Sequence, residues 1–410
     1  MPSKLRNANI GHIEFVTIIA MLMAVNSLGI DIILPCLPQI GEYVGIINEN
    51  HRQHLISFYL IGFAIGQIFY GPLSDRFGRK AVLIPGLMLY VISTIAVLFT
   101  TSFSAMLFFR LIQGIGGAAP RIISISIIRD IYGGRQMAKV LSISMMIFMI
   151  MPIIAPSIGQ LTMYISGSWA GIFVWMAAIA SAITIWYGVR IPETMDPLHV
   201  RSLHWRLILG SFSLIFKDRA ATLYNIANSL LMGAIFGFVS SSQQIYTEVY
   251  NLGAWFPLAF AIGGISMSLS SLLNTYLVDK LGRHRLSHYS LLILVAVTTL
   301  WLITQLIVGQ SVSLFVFFAF FLLSFFQIGL INANFSSISI EPFAHLAGTA
   351  SSVFGFINTV ISTGIGIVIG QAFDGTTYPL TIGFFVIAVF CFIAIFIAEK
   401  GKMFQNKQDE

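Results

Sequence analysis
Long apolar runs separated by short polar interruptions dominate the chain. Each run is roughly 20 residues, enough for a helix to cross a hydrocarbon core about 30 Å thick. The pattern predicts twelve spans, near residues 15–40, 55–74, 81–100, 104–127, 140–163, 169–189, 220–246, 256–277, 289–308, 312–338, 349–372 and 378–398. The alternation a membrane barrel strand needs is absent. The predicted fold class is therefore an all-α polytopic membrane protein, with twelve transmembrane helices in two pseudo-symmetric six-helix bundles.

The most polar interruption of the first half is Gly71-Pro72-Leu73-Ser74-Asp75-Arg76-Phe77-Gly78-Arg79-Lys80. Its D-x-x-G-R core recurs as Asp279, Gly282 and Arg283, again between apolar runs, so the chain reads as two related halves. Residues 1–189 form an N-terminal bundle, 190–219 a linker, 220–398 a C-terminal bundle and 399–410 a polar tail. The linker carries Pro192, Pro197 and mixed charges, and Leu203–Phe216 reads as a short amphipathic helix on the membrane surface. Parallel repeats of this kind place a substrate cavity between the halves.

Composition agrees: 57% hydrophobic and 9% charged residues, with a mean hydropathy of +0.88, exclude an ordinary water-facing surface. The net charge of +6 is explained by its distribution. With the N-terminus in the cytoplasm, Lys4, Arg6, Arg76, Arg79, Lys80, Arg129, Arg135, Arg201, Arg206, Lys280, Arg283 and Lys407 all fall inside, and only Arg52 lies in an outside loop. That asymmetry predicts both termini cytoplasmic and removes any need for a nucleic-acid partner. The first run continues from Phe15 without a cleavage site, so no secretory leader is expected. Cys36 and Cys391 sit apart in apolar surroundings, with no Cys/His metal spacing; no metal, disulfide or cofactor is expected.

The residues that can carry chemistry are few. Asp31 lies well inside the first run, where an unpaired carboxylate must face a partner or water. Its candidate partner is Arg110 in the fourth run, which lies at matching depth. If the two pair, proton occupancy of Asp31 becomes sensitive to water access, the basis for exchanging a proton against a substrate; a structural ion pair is the other reading. Glu14, near the cytoplasmic boundary, reads as a snorkelling or capping group. Arg121 reaches either the inner half of a cavity or the headgroups. Asn26, Gln113, Met146, Asn225, Asn228, Gln327 and Asn332 are further candidates for a substrate cavity, against an alternative role as interhelical glue. Gly71, Asp75, Arg76, Gly78 and Arg79, with Asp279, Gly282 and Arg283, form a candidate gate that locks one access state. Pro152, Pro156 and Gly159 bend the fifth helix and allow close packing, and join that gating set.

There is no Walker A loop, dinucleotide fingerprint or H-E-x-x-H, and no nucleophile and base arrangement stands out. An enzyme or ATP-driven pump is thus not expected, and the energy must come from a gradient. The sequence Gly71-x-x-x-Asp75-Arg76-x-Gly78-Arg79-Lys80 resembles the signature loop of the major facilitator superfamily. Arg110-x-x-Gln113-Gly114-x-Gly116 resembles its fourth-helix motif, whose arginine is implicated in proton coupling. Pro152-x-x-Ala155-Pro156-x-x-Gly159 is similar to the exporters' fifth-helix motif, with Ala155 for the usual first glycine and Gln160 for the last. Asp31-x-x-Leu34-Pro35-x-Leu37-Pro38 resembles the bicyclomycin-resistance (Bcr/CflA) branch of drug/proton antiporters. The resemblance implies a monomeric efflux transporter of drug-like or metabolite molecules in the bacterial cytoplasmic membrane, coupled to protons through Asp31 alone. The alternatives are a dedicated exporter of one endogenous compound, such as a siderophore or amino-acid derivative, and a proton-independent facilitator or importer. A receptor or scaffold that kept the fold but lost turnover is the third class.

Overall fold
The computed structural model describes residues 10–195, 216–309 and 312–404. The linker helix expected at Leu203–Phe216, and Lys4, Arg6, Arg201, Arg206 and Lys407, lie outside the described residues, Phe216 excepted. Among the described residues are twelve helices long and apolar enough to cross a membrane. They are α1 (His12–Tyr43), α2 (Glu49–Phe77), α3 (Arg79–Val97), α4 (Phe103–Ile131), α5 (Lys139–Ser166) and α6 (Ala170–Arg190), then α7 (Arg219–Val249), α8 (Gly253–Leu281), α9 (Arg283–Val308), α10 (Leu314–Phe343), α11 (Ala350–Gln371) and α12 (Tyr378–Ala398).

The chain divides into two compact units, residues 1–204 and 205–410. Each is built by the same pairings. In the first, α1 packs on α4, α5 and α6, α2 on α4, and α3 on α4 and α6; in the second, α7 packs on α10, α11 and α12, α8 on α10, and α9 on α10 and α12. The repeated D-x-x-G-R core is thus the visible remnant of a repeated six-helix packing.

Local sequence explains the departures from regular helix. In α1 the α-helical stretch His12–Asp31 ends at Asp31, and a tight 3₁₀ turn at Leu34–Cys36 precedes a short helix, Leu37–Tyr43. Pro35 and Pro38 sit in the first turn of each new segment, where their missing N–H is not needed. By contrast α5 carries Pro152 and Pro156 in its interior within one helix. Small residues set the close crossings. A Cβ on Gly114 would lie 2.0 Å from the Tyr59 carbonyl oxygen and one on Gly62 1.9 Å from that of Leu111, so α2 and α4 meet backbone to backbone.

Candidate functional site
Asp31 is buried at the point where α1 changes from α to 3₁₀ helix. Among the described residues no hydrogen bond or ion pair reaches its carboxylate. Arg110 is completely buried and arrives from α4, but it does not pair with Asp31. Its Nη2 donates to the Gly29 carbonyl at 2.9 Å, its Nε to the Leu55 carbonyl at 2.9 Å, and its Nη1 to Gln113 Oε1 at 2.6 Å. The guanidinium lies 4.7 Å from the centre of the Tyr59 ring. The pairing considered from matching depth is therefore not made: Arg110 reaches α1 two residues short of Asp31 and is held there by backbone carbonyls. Gly159 of α5 closes the other side, since a Cβ on it would lie 2.1 Å from the Ile32 carbonyl oxygen.

Two residues read as cavity candidates are engaged inside this unit. Gln113 links Arg110 to Thr94, donating to its Oγ1 at 2.6 Å, and the Asn26 side chain accepts from the Tyr59 hydroxyl at 3.2 Å. Arg121 makes neither hydrogen bond nor ion pair among the described residues and instead packs against Phe148 and Phe63. Met146 is exposed on α5. In the second unit Asn228 donates to Ser336 Oγ at 3.1 Å and Asn332 to Met232 Sδ at 2.9 Å. Asn228 Oδ1 and Gln327 Oε1 are buried without a hydrogen-bond partner among the described residues, and Asn225 is buried three residues before Asn228 on α7.

The first D-x-x-G-R segment is a compact charge network. Gly78 separates α2 from α3 with a φ of 101°, a conformation that only glycine adopts easily. That turn aims Arg79 back across the helix ends, where it is buried. Its Nη1 donates to Asp75 Oδ1 at 2.5 Å and to Ser74 Oγ at 2.9 Å, and its Nε to Asp130 Oδ2 on α4 at 2.8 Å. Glu193, just beyond α6, accepts from the backbone N–H groups of Arg79 and Lys80, both at 2.9 Å. A carboxylate there satisfies two free donors at the N-terminus of α3 and complements the helix dipole. Arg76 takes no part and stacks on Phe77. Gly71 contributes its carbonyl to Ser74 Oγ.

Asp130 and Glu193 were not singled out from sequence. Both are acids at the end of the bundle where cations predominate, which is the signal that would have found them. Glu14 lies at that end too, and it pairs with Arg190 of α6 at 2.6 Å instead of snorkelling alone.

The second segment is differently wired. Gly282 again has positive φ, 76°, but Arg283 turns to Glu341 at 2.9 Å and Ser337 Oγ at 3.0 Å, while Asp279 makes no ion pair among the described residues. Beside it, His284, His288 and Glu399 bring ligating atoms within 4.8 Å of one another around the Tyr224 hydroxyl. The hydroxyl donates to Glu399 Oε1 at 2.7 Å and meets His288 Nε2 at 2.9 Å. The Phe404 backbone N–H donates to His288 Nδ1 at 3.2 Å, which assigns the ring proton to Nε2. A metal-bound Nε2 would need the opposite tautomer, so this set fits a proton-filled network better than a metal site.

The comparisons agree with this fold. The family model described as Major Facilitator Superfamily matches residues 19–367. The chain is 26% identical to a bicyclomycin resistance protein homolog of Haemophilus influenzae, covering 89% of this chain and 91% of that protein. It is 28% identical to a chloramphenicol resistance protein of Pseudomonas aeruginosa, covering 93% and 90%. Among solved structures it resembles a human organic anion transporter with a TM-score of 0.69 and 17% identity, covering 93% of this chain and 98% of that one, a likeness of fold alone.

Proposed function
Because this chain belongs to the Major Facilitator Superfamily, we propose that it is a proton-coupled secondary exporter of drug-like or small-metabolite molecules, working by alternating access. Its similarity to bicyclomycin and chloramphenicol resistance proteins supports efflux. We place it in a bacterial cytoplasmic membrane with both termini inside, as the asymmetry of its cations supports.

The observation that carries the coupling is Asp31: a carboxylate buried in a membrane span with no counter-ion among the described residues. Carrying a proton makes such a group compatible with burial, and releasing it requires water. Arg110 acts on Asp31 through the helix. By holding the Gly29 and Leu55 carbonyls and Gln113, it fixes the α1 backbone two residues before the acid. Gly159 brings α5 against Ile32 on the other side, so a shift of α5 changes access to Asp31. The Asp75–Arg79–Asp130–Glu193 network holds the helix ends of the first unit in one access state.

The test is chloramphenicol uptake into inside-out membrane vesicles, with and without an imposed proton gradient. Wild type should respond to the gradient, and Asp31→Asn should fall to the gradient-free rate while still inserting. Gradient-driven uptake that survives in Asp31→Asn would remove the acid from the mechanism. A wild-type rate indifferent to the gradient would favour a facilitator.

A further inference from the structure
Arg110 and Arg121 lie eleven residues apart on α4, three helical turns, and so share nearly the same face. Their surroundings are opposite. Arg110 is satisfied by two carbonyls and an amide. Arg121 has no acceptor among the described residues: its guanidinium lies 4.6 Å from the ring centre of Phe148 on α5 and 5.8 Å from that of Phe63 on α2. The two rings favour a cation between them but accept none of its five N–H donors in the plane of the fork.

Ten residues of α4 follow Arg121, the last being Ile131, about 15 Å of helix, so the side chain leaves α4 well before its end. A cation left in a span without counter-ion is costly, which favours a partner that arrives from outside the chain.

Two buried hydroxyls point the same way. Many serines and threonines of the transmembrane helices donate to the carbonyl one turn back, as Thr94 of α3 does to Tyr90 at 2.6 Å and Thr162 of α5 to Ile158 at 2.8 Å. Ser124 Oγ and Ser144 Oγ are completely buried and have no hydrogen-bond partner among the described residues. Ser124 lies three residues beyond Arg121 on α4, and Ser144 four residues before Phe148 on the neighbouring α5. Each is displaced by about one turn toward the same end of the bundle. A fork-shaped cation against two aromatic faces, with two idle hydroxyls about one turn away along the same two helices, supplies the groups an anion receptor needs.

We infer that Arg121, Ser124 and Ser144 receive the carboxylate of the transported molecule, and that the substrate class is amphipathic organic acids whose flat apolar body packs against Phe63 and Phe148. This rests on the reading of the chain as an exporter, and it narrows what is exported. The guanidinium supplies a bidentate bond that an ammonium cannot reproduce.

The experiment measures binding by the purified full-length protein at fixed pH without a gradient, so a failure of proton coupling does not affect it. The probes are 1-naphthoate and p-aminohippurate, each against its neutral amide. Wild type should prefer the carboxylates. Arg121→Gln should lower the carboxylate-to-amide affinity ratio by about tenfold or more, as expected for loss of a charge-assisted pair. Arg121→Lys should fall between the two, and the Ser124→Ala plus Ser144→Ala double variant should lower the ratio by a few fold while folding normally. An unchanged ratio in Arg121→Gln would overturn the assignment, as would a wild type that binds neither carboxylate at millimolar concentration or prefers the amides. Loss of gradient-driven transport in Asp31→Asn with this ratio intact would leave both readings standing. Retained gradient-driven transport there, with the ratio still sensitive to Arg121, would sink only the coupling.

Discussion

The two D-x-x-G-R segments share five-residue spacing, a glycine with positive φ and a place at the junction of equivalent helices, yet they hold their arginines in different ways. In the first unit Arg79 is buried between Asp75 on α2 and Asp130 on α4, and its own backbone N–H is capped by Glu193. In the second, Arg283 turns away from Asp279 to Glu341, whose side chain is 49% exposed. The residue after each arginine also keeps a common task by different chemistry. Lys80 Nζ donates to the Ile191 carbonyl beyond α6, whereas His284 approaches Glu399 beyond α12 at 3.4 Å. Repetition conserved the turn, while the strength of the latch depends on the acids that neighbouring helices supply. The tight, multiply bonded arginine is therefore the one in the first unit.

The sharpest way to break this comparison is to remove each arginine in turn. Arg79→Ala leaves Asp75 and Asp130 without their cation, and should destabilise the protein by about 2–4 kcal/mol, with loss of transport. Arg283→Ala should cost at most about 1 kcal/mol, because its pair is partly exposed to solvent. Thermal unfolding of the two purified variants measures both, and equal losses would show that the segments are equivalent.

A smaller contrast concerns the glycines. Gly78→Ala combines a strained φ with a Cβ 2.6 Å from Glu193 Oε2, and should cost about 2–3 kcal/mol. Gly282→Ala puts alanine at a φ of 76° and should cost about 1–2 kcal/mol. Were Gly282→Ala the more damaging of the two by the same melting assay, the role given to Glu193 would be wrong. Glu193→Gln should likewise cost only about 1 kcal/mol, since an amide oxygen still accepts from one backbone donor but without charge. High salt should narrow the gap between this variant and wild type if the charge is what matters.

Fold and site were not equally legible in the sequence. Helix number, class and relation of the halves follow from local rules: a span announces itself by twenty apolar residues, and a repeated turn by its glycine and arginine. Asp31, Arg110 and Arg121 could be picked out as well, because ionisable groups inside apolar runs are rare and need a reason. Their partners could not. Matching depth along two helices places two side chains at one level but leaves the rotation of each helix open, and Arg110 resolves onto the Gly29 and Leu55 carbonyls, which carry no sequence signal of their own. Gln113 and Asn26 likewise read as lining until packing assigns them to Thr94 and Tyr59. Asp130 and Glu193 lie 51 and 114 residues from Arg79, and only the closing of α4 and α6 around α3 brings them together.

The sequence by itself determined a membrane-embedded chain of twelve helices, its internal repeat and the short list of charges that cannot be passive in hydrocarbon. Tertiary structure alone decided which of those charges are satisfied, because satisfaction depends on which faces of distant helices meet. That is why two arginines on one face of α4, indistinguishable by composition, separate into one that is held by the fold and one left with no acceptor among the described residues.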